Sequence, residues 1–574
     1  MFSTTRYDSV PNVSVQVHAE RNQYSDSEIM EIKLDPSQLP FCDFKQSYLE
    51  FDIQVNASHP VSFERVSGAQ SLIKNLTIKN NQGVVLEEIR NYNVLQSLLE
   101  NYRQNGSVKS SRSHTAALQL QPNRSVFQTK SITNTTLASD ITTAKVNHVV
   151  KCCLTINSGI LNGNKIVPVA SMRGLTLQIE LEKGSVCFET AFLRSDSRMK
   201  NVAVSRSANS FLVKAQSGAE HGSGGAANTP IPYLKPQHDN DTHSFYHWCP
   251  VVKSGGDGTR TSKSGAGWSA NQALAAYVAN SPYNVGDTIQ IYGVISETGQ
   301  PDIDVNETRT ITKFGIVSDT EWGGAPNRYE LVIYYSGAAI NIPIGAAGGN
   351  AKTFTGGIAE EPASYSVSYT IMNPVFNLKK VLPPMEYANE LDAMEKNNEL
   401  EFEITTYTDY QNNLPATTHS VQQIIATNTR ALSLISIDQQ IVQDDPDNDH
   451  QLTKGATLLQ PYKGSLTSYQ FMIDQVLTPN REVSCGAAQP QKALNELNKA
   501  LVNVGEKVNS LGKINNNWAI CRAFTNYNGT YNLFGTNLQL TKKYSSAPQN
   551  VITHNFVGHL RSIVMGTNGV QVVI

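Results

Sequence analysis

The sequence predicts an all-β chain: two tandem antiparallel sandwiches with a large β-rich insertion and a few short helices. Three observations carry this. Runs of apolar and polar residues alternating with period two recur along the chain, the mark of strands with one face in a core. These runs fall into two halves, each opening with an alternating strand and each carrying one amphipathic helix, which suggests an architectural duplication. Between the halves, near Arg206, the composition shifts abruptly towards Gly, Ser, Lys and Asn.

The first half supplies its elements in order. Glu28 to Leu34 and Tyr48 to Val55 alternate. Leu72 to Ile78 repeats the pattern and runs into Asn80-Asn81-Gln82-Gly83, whose Asn and Gly residues tolerate the positive φ of a tight turn. Val84 to Ile89 then returns as the partner strand. A helix is expected from Asn91 to Arg103, because Tyr92, Leu95, Leu98, Leu99 and Tyr102 share one face at spacings of three and four. Asn105 to Ala144 is polar and reads as a long surface excursion. Strands resume at Val149 to Ile156 and Leu175 to Leu181.

Residues 205–362 read as an insertion with its own β module, since a segment this long does not stay structureless inside a compact domain. Its clearest strands are Thr288 to Tyr292 and Tyr329 to Tyr335. Tyr365 to Val381 returns to strand character and stops at Pro383-Pro384. The second half opens with a short polar helix, Tyr387 to Lys396, and the strictly alternating Glu399 to Tyr407. Ser468 to Val476, Trp518 to Phe524, Asn537 to Leu540 and Ile563 to Val573 are further strands. An amphipathic helix interrupts them over 490–511, with Leu494, Leu497, Leu501, Val504, Val508 and Leu511 as its apolar stripe.

Composition narrows the function. The chain has 574 residues, room for about three or four structural units. Only 17% of residues are charged, below the roughly 25% of an average soluble domain; Asn, Ser and Thr make up the difference. Such a surface is neutral and suited to being covered by other protein. The net charge is −3 and the first charges, Arg6, Asp8, Glu20, Arg21, Asp26 and Glu28, are mixed in sign. No specific nucleic-acid binding is expected, because displacing counterions from phosphate requires clustered Lys and Arg. No apolar run is long enough for a membrane helix. Met1 to Tyr7 lacks a basic stretch followed by an apolar one, so no signal peptide is expected. The seven cysteines (Cys42, Cys152, Cys153, Cys187, Cys249, Cys485 and Cys521) are odd in number and contain no CxxC pair, which favours buried free thiols.

The search for chemistry returns no catalytic, cofactor-binding or metal-ligating residues. Gly256 to Ser264 approaches a phosphate loop in composition but lacks the glycine directly before the lysine. Asp444 to Asp449 resembles a calcium loop, yet His450 and Ala456 stand where the loop needs Gly and Glu. His243 and His247, with Cys249 nearby, want a fourth ligand for zinc. All three read as solvated loops. The chain is not expected to be an enzyme.

Several segments, taken in order, resemble the double jelly-roll major capsid proteins of virophages and Polinton-like viruses, the lineage that includes the adenovirus hexon. They are Tyr48 to Val55 with Gly68 to Ile78 and Leu86 to Leu95, then Met172 to Leu181, Tyr369 to Pro384, Tyr469 to Asp474 with Pro479-Asn480-Arg481, Trp518, and His559 to Ile574. The resemblance covers most of the chain outside about 205–362. It implies two eight-stranded jelly rolls, 1–383 with the insertion and 384–574, the insertion forming an outward tower. It implies a homotrimer with a pseudo-hexagonal outline that tiles the icosahedral shell of a double-stranded DNA virus. Partners would be neighbouring capsomers, a penton protein and minor or cement proteins, and the location the virion; contact with an internal membrane is left open. Met1 to Asn22 and Gln549 to Ile574 are candidate clamps between neighbours. A fibre or lectin-like adhesive protein shares the composition but should show a shaft repeat or a signal peptide. A carbohydrate-active enzyme should cluster Trp with Asp and Glu, whereas the four Trp are scattered.

Overall fold

A computed structural model describes residues 11–103 and 149–190 apart from 58–60, 64–66 and 163–164. It also describes 367–573 apart from 415–418, 441–464, 486–490, 507, 509–517, 525–529 and 549–550. Between 104 and 366 it otherwise describes little more than individual strands.

Sixteen strands build the common framework of two sandwiches with the same strand order, to which 23–25 adds in the first and 531–532 and 569–573 add in the second. In the first, β1 (Asn12–His18), β2 (Ile29–Leu34), β3 (Cys42–Ala57), β4 (Ile73–Lys79), β5 (Val85–Ile89), β6 (Val149–Leu154), β7 (Leu175–Leu181) and β8 (Val367–Val381) pair in the orders β1-β8-β3-β6 and β2-β7-β4-β5. In the second, β9 (Leu400–Leu414), β10 (Ser420–Ile425), β11 (Arg430–Gln440), β12 (Leu466–Ile473), β13 (Val476–Ser484), β14 (Ile520–Ala523), β15 (Leu538–Tyr544) and β16 (Val551–Gly566) pair as β9-β16-β11-β14 and β10-β15-β12-β13. Adding eight to each strand number of the first roll gives the second. Every one of these pairs is antiparallel. This interleaving of first with last strand is the jelly-roll order.

The local chemistry explains the elements. In the β4–β5 turn, Asn80 Oδ1 accepts from the backbone N–H of Gln82 (3.0 Å) and Val84 (2.8 Å), and Gly83 takes φ +85°. Such a side-chain-capped turn is the signature of Asn. Helix α1 (Tyr92–Arg103) follows β5 and buries the apolar face expected of it. It also buries Asn93, Gln96, Ser97 and Glu100, because polar groups from neighbouring loops meet its other face: Asn93 donates to Glu182 and Asn157 to Gln96. Helix α2 (Met385–Lys396) links the rolls.

Helix α3 (Gln491–Asn503) lies after β13, the same topological place as α1 after β5. It ends at Asn503 and not at the expected 511. Gly505 at φ +83° lets the Gly505 and Glu506 N–H groups fold back onto Val502 O and Leu501 O, a glycine-dependent helix stop. Val508 therefore sits beyond the helix, and Leu511 lies outside the described residues.

The insertion leaves the first roll after β7 and returns at β8. Its strands form a six-stranded antiparallel sheet in the order 203–204, 210–213, 329–335, 303–318, 288–297, 352–360, with a separate hairpin of 251–253 and 260–262.

Because successive strands alternate in direction, connections alternate between the two ends of each roll. One end, the base, receives the short connections 35–41, 80–84, 155–174, 426–429, 474–475 and 524–537, together with α2. The connections 90–148, 182–366, 441–465 and 485–519 begin and end at the other end, the crown, together with the shorter 19–28, 58–72, 415–419 and 545–550. One continuous apolar cluster runs from the first roll (Phe51, Tyr92, Phe188) into the second (Phe402, Tyr407, Phe556), so the two rolls share a core. A second cluster around Tyr469, Phe471 and Trp518 belongs to the second roll alone.

Candidate assembly surfaces

The two rolls meet through unlike faces. The first contributes β5, α1 and the base connection 155–174; the second contributes β9, β16 and the residues after α3. Glu87 on β5 is fully buried and accepts from the N–H groups of Gly159 (2.7 Å) and Ile160 (3.1 Å) and from Thr406 Oγ1 of β9 (2.8 Å). Burial pushes its pKa up, opposed by these donors. Arg561 of β16 donates to Leu86 O at 3.0 Å. At the end of α1, Arg103 grips Glu506 with two hydrogen bonds, Nε to Oε2 at 2.6 Å and Nη2 to Oε1 at 2.5 Å. Burial alone would lower the Arg103 pKa, but Glu506 more than reverses this and holds the guanidinium charged. The ends of two topologically equivalent helices are thus bolted together by a bidentate ion pair.

Asp409 on β9 accepts from Asn91 Nδ2 of the first roll (2.7 Å) and faces His554 Nδ1 at 2.9 Å, while His554 Nε2 lies 2.9 Å from Gln439 Oε1. Gly159 marks a close approach of the rolls: a Cβ there would sit inside contact distance of the Thr405 carbonyl oxygen. Beside it, a cleft of about 690 Å³ opens between Gln96, Asn157, Lys165, Glu403 and Tyr407.

The equivalent surfaces on the outer flanks are bare. The counterpart of β5 is β13, where Val476 and Leu477 are 67% and 47% exposed; the counterpart of α1 is α3, which exposes Val502. The counterpart of β9 is β1. The first seven residues of β9 alternate between buried and more exposed, with Leu400, Phe402 and Ile404 buried, whereas β1 buries no residue and exposes Val13. Among the described residues β1 pairs only with β8, so its other edge is open.

Five of the six described cysteines are buried, and burial pushes the Cys42 and Cys152 thiols up to about 12, which keeps the nucleophilic thiolate scarce. Lys542 and Asp438 form a fully enclosed pair at 2.5 Å inside the second roll, shared with Thr553 and Tyr544. Among the described residues no three His, Cys, Asp or Glu side chains are grouped to hold a metal, and no helix is long and apolar enough to cross a membrane. Cys249, His243, His247, the Asp444 to Asp449 turn, Met1 to Val10 and Gln549-Asn550 lie outside the described residues, as do the loop residues and side chains of Gly256 to Ser264.

No family model and no curated protein matches this chain. Solved structures similar to it include the VP54 protein of PBCV-1 fitted into a reconstruction of the virophage Sputnik, at 8% identity, 100% coverage of this chain, 99% of that one and a TM-score of 0.43. The Sputnik virophage structure aligns at 9% identity over 98% of this chain and 88% of the other, with a TM-score of 0.37. The major capsid protein of STIV aligns at 8% identity over 96% of both chains, with a TM-score of 0.31. The fold itself follows from the strand orders of this chain.

Proposed function

We propose that the chain is a major capsid protein, a structural subunit that assembles three copies into a pseudo-hexagonal capsomer of an icosahedral double-stranded DNA virus. The observation that carries this reading is the junction together with its two unfilled counterparts. A contact between unlike faces is heterologous, and repeated heterologous contacts close into a ring when the rotation between units allows. Within the chain, the β5/α1 side of one roll receives the β9 edge of the other. The exposed β13/α3 side and the exposed β1 edge are the topological equivalents of those faces. Docking β1 of one copy onto β13 and α3 of the next repeats the contact, and six rolls from three copies complete the ring.

The division of the loops supports an oriented subunit. Short connections leave the base compact enough to tile a shell. The long crown connections, the insertion among them, would project outwards as a tower. The low charge lowers the desolvation cost of such contacts, and obligate interfaces of about 2,000–5,000 Å² are driven by apolar burial at roughly 25 cal/mol per Å². On this reading the protein acts by assembly and not by catalysis, resides in the virion, and meets neighbouring capsomers, a penton protein and minor or cement proteins. Of the terminal segments read from the sequence as clamps, 551–573 is instead β16, held between β9 and β11 and ending in a hairpin strand, and within 1–22 the strand β1 is paired with β8 and offers a neighbour only its open edge.

The test is the double substitution Val476→Asp and Leu477→Asp. Both side chains are exposed within the chain, so the monomer should keep its native circular dichroism while the trimer falls apart, and the melting temperature should drop only by what assembly had added. A variant that stays trimeric would remove β13 from the interface and this ring with it.

A further inference from the structure

We infer that the pocket beneath the linker helix α2, at the base, docks a cationic segment of an internal partner protein by one apolar side chain. This rests on the capsomer reading, which turns the base inwards. The pocket has a volume of about 480 Å³ and is walled by Phe41 and Ile166 of the first roll, Leu391 and Met394 of α2, and Phe402 and Met565 of the second roll. That size lies within the range of sites that enclose a large side chain or small ligand. Its polar lining is unbalanced: Glu399, Glu401 and Glu403 stand against the single cation Lys165.

Lys165 is already engaged, donating to the Glu403 backbone oxygen at 3.1 Å with its ammonium 5.5 Å from the Phe402 ring centre. Glu403 meets Arg430 at 3.4 Å. Glu399 and Glu401 are exposed and make no ion pair among the described residues. Helix α2 adds exposed Glu386, Glu390 and Asp392 against Lys396, and Met385 beside them is 80% exposed. An apolar socket with an acidic surround selects a segment that carries Lys or Arg on either side of an aromatic or aliphatic anchor. An anionic lipid surface would be repelled. The chain's net charge of −3 leaves the neutralising of an enclosed genome to another, basic protein, the class of partner whose segments have this chemistry.

The probe is a fluorescent octapeptide alternating lysine with phenylalanine and leucine, with a control carrying glutamate in place of lysine. Anisotropy is read on the full-length oligomer after size separation. The cationic peptide should bind and weaken with salt, and the control should not bind. Glu399→Lys with Glu401→Lys, both at exposed positions, should weaken binding at least about tenfold. Met394→Trp, which fills the socket, should weaken it without altering the salt dependence. Equal binding of both peptides, no binding, or full binding to the lysine variant would overturn the inference. Co-flotation of the protein with phosphatidylcholine vesicles, abolished by Met394→Trp, would also overturn it by seating lipid in the socket. A trimer that fails to bind refutes the pocket alone; a monomer that binds refutes the capsomer and keeps the pocket.

Discussion

Replacing Arg103 by leucine leaves Glu506 in place with its charge and without its partner. The two side chains are only 20% and 15% exposed, so little water can replace the lost guanidinium. Removing one member of a buried pair costs about 3–5 kcal/mol; with this residual exposure the lower figure, about 3 kcal/mol, is expected. Glu506→Leu should cost less, because Arg103 keeps Gln96 Oε1 at 2.9 Å and the buried Glu100 at 3.7 Å. The double variant removes both charges of the pair and retains apolar volume, but it also takes Arg103 from Gln96 and Glu100 and Glu506 from the Tyr407 hydroxyl, so it should lose clearly less than the two single variants together. At about 2–4 °C per kcal/mol for a roll of this size, Arg103→Leu should melt about 6–12 °C lower, Glu506→Leu by less, and the double variant by less than the sum of the two. Thermal melts of the four proteins give the coupling directly. Additive losses would refute the ion pair as the bolt between the rolls.

Other outcomes follow from the same packing. His559 is fully buried; its Nδ1 faces Leu560 O at 3.2 Å and its Nε2 faces Thr408 Oγ1 at 3.0 Å, an arrangement that suits the neutral ring. Burial holds its pKa at about 4, below the ordinary 6.5. The unfolded chain therefore binds the extra proton first, and stability present above pH 6.5 is lost as pH falls towards 4, by about 3 kcal/mol at roughly 1.4 kcal/mol per pH unit. His559→Gln should flatten this part of the stability curve, and curves that stay parallel would contradict the assignment. Gly159→Ala forces a methyl against Thr405 O and should cost about 1–3 kcal/mol in a melt; an unchanged melt would mean the junction is loose. Glu87 has a raised pKa from burial, so the stability its protonated form contributes is present at low pH and lost as pH rises through its folded value. Glu87→Gln should remove that loss, read as a smaller fall in melting temperature between acid and neutral pH.

Strands with one wet face were readable. Leu175 to Leu181 alternates because β7 sits inside a sheet with one face in the core, and α1 shows its stripe because that face alone is apolar. The missed strands fail for a physical reason. Ile563 to Val573, read as one strand, is the end of β16 and a return strand 569–573 paired with it; the rest of β16 escaped because it is buried along nearly its whole length and Thr553, His554, Asn555 and His559 interrupt any apolar pattern. Most of β11, Ala431 to Gln439, is buried on both sides in the same way. β1 alternates plainly at Val13, Val15 and Val17 yet was not read as a strand, and only pairing with β8 identifies it. The stripe of α3 continues past Asn503 in sequence, and Gly505 is the signal that ends it. The junction could not be read at all: Arg103 and Glu506 are 403 positions apart, Asn91 and Asp409 318, and each looks like an ordinary surface residue on its own element.

The most direct test of the account is the solution mass of the intact protein by light scattering, with negative-stain images of the same sample. A particle of three times the 62.9 kDa chain mass, pseudo-hexagonal in outline and bearing protrusions on one face, is the predicted result. A compact monomer that stays monomeric at high concentration would contradict it.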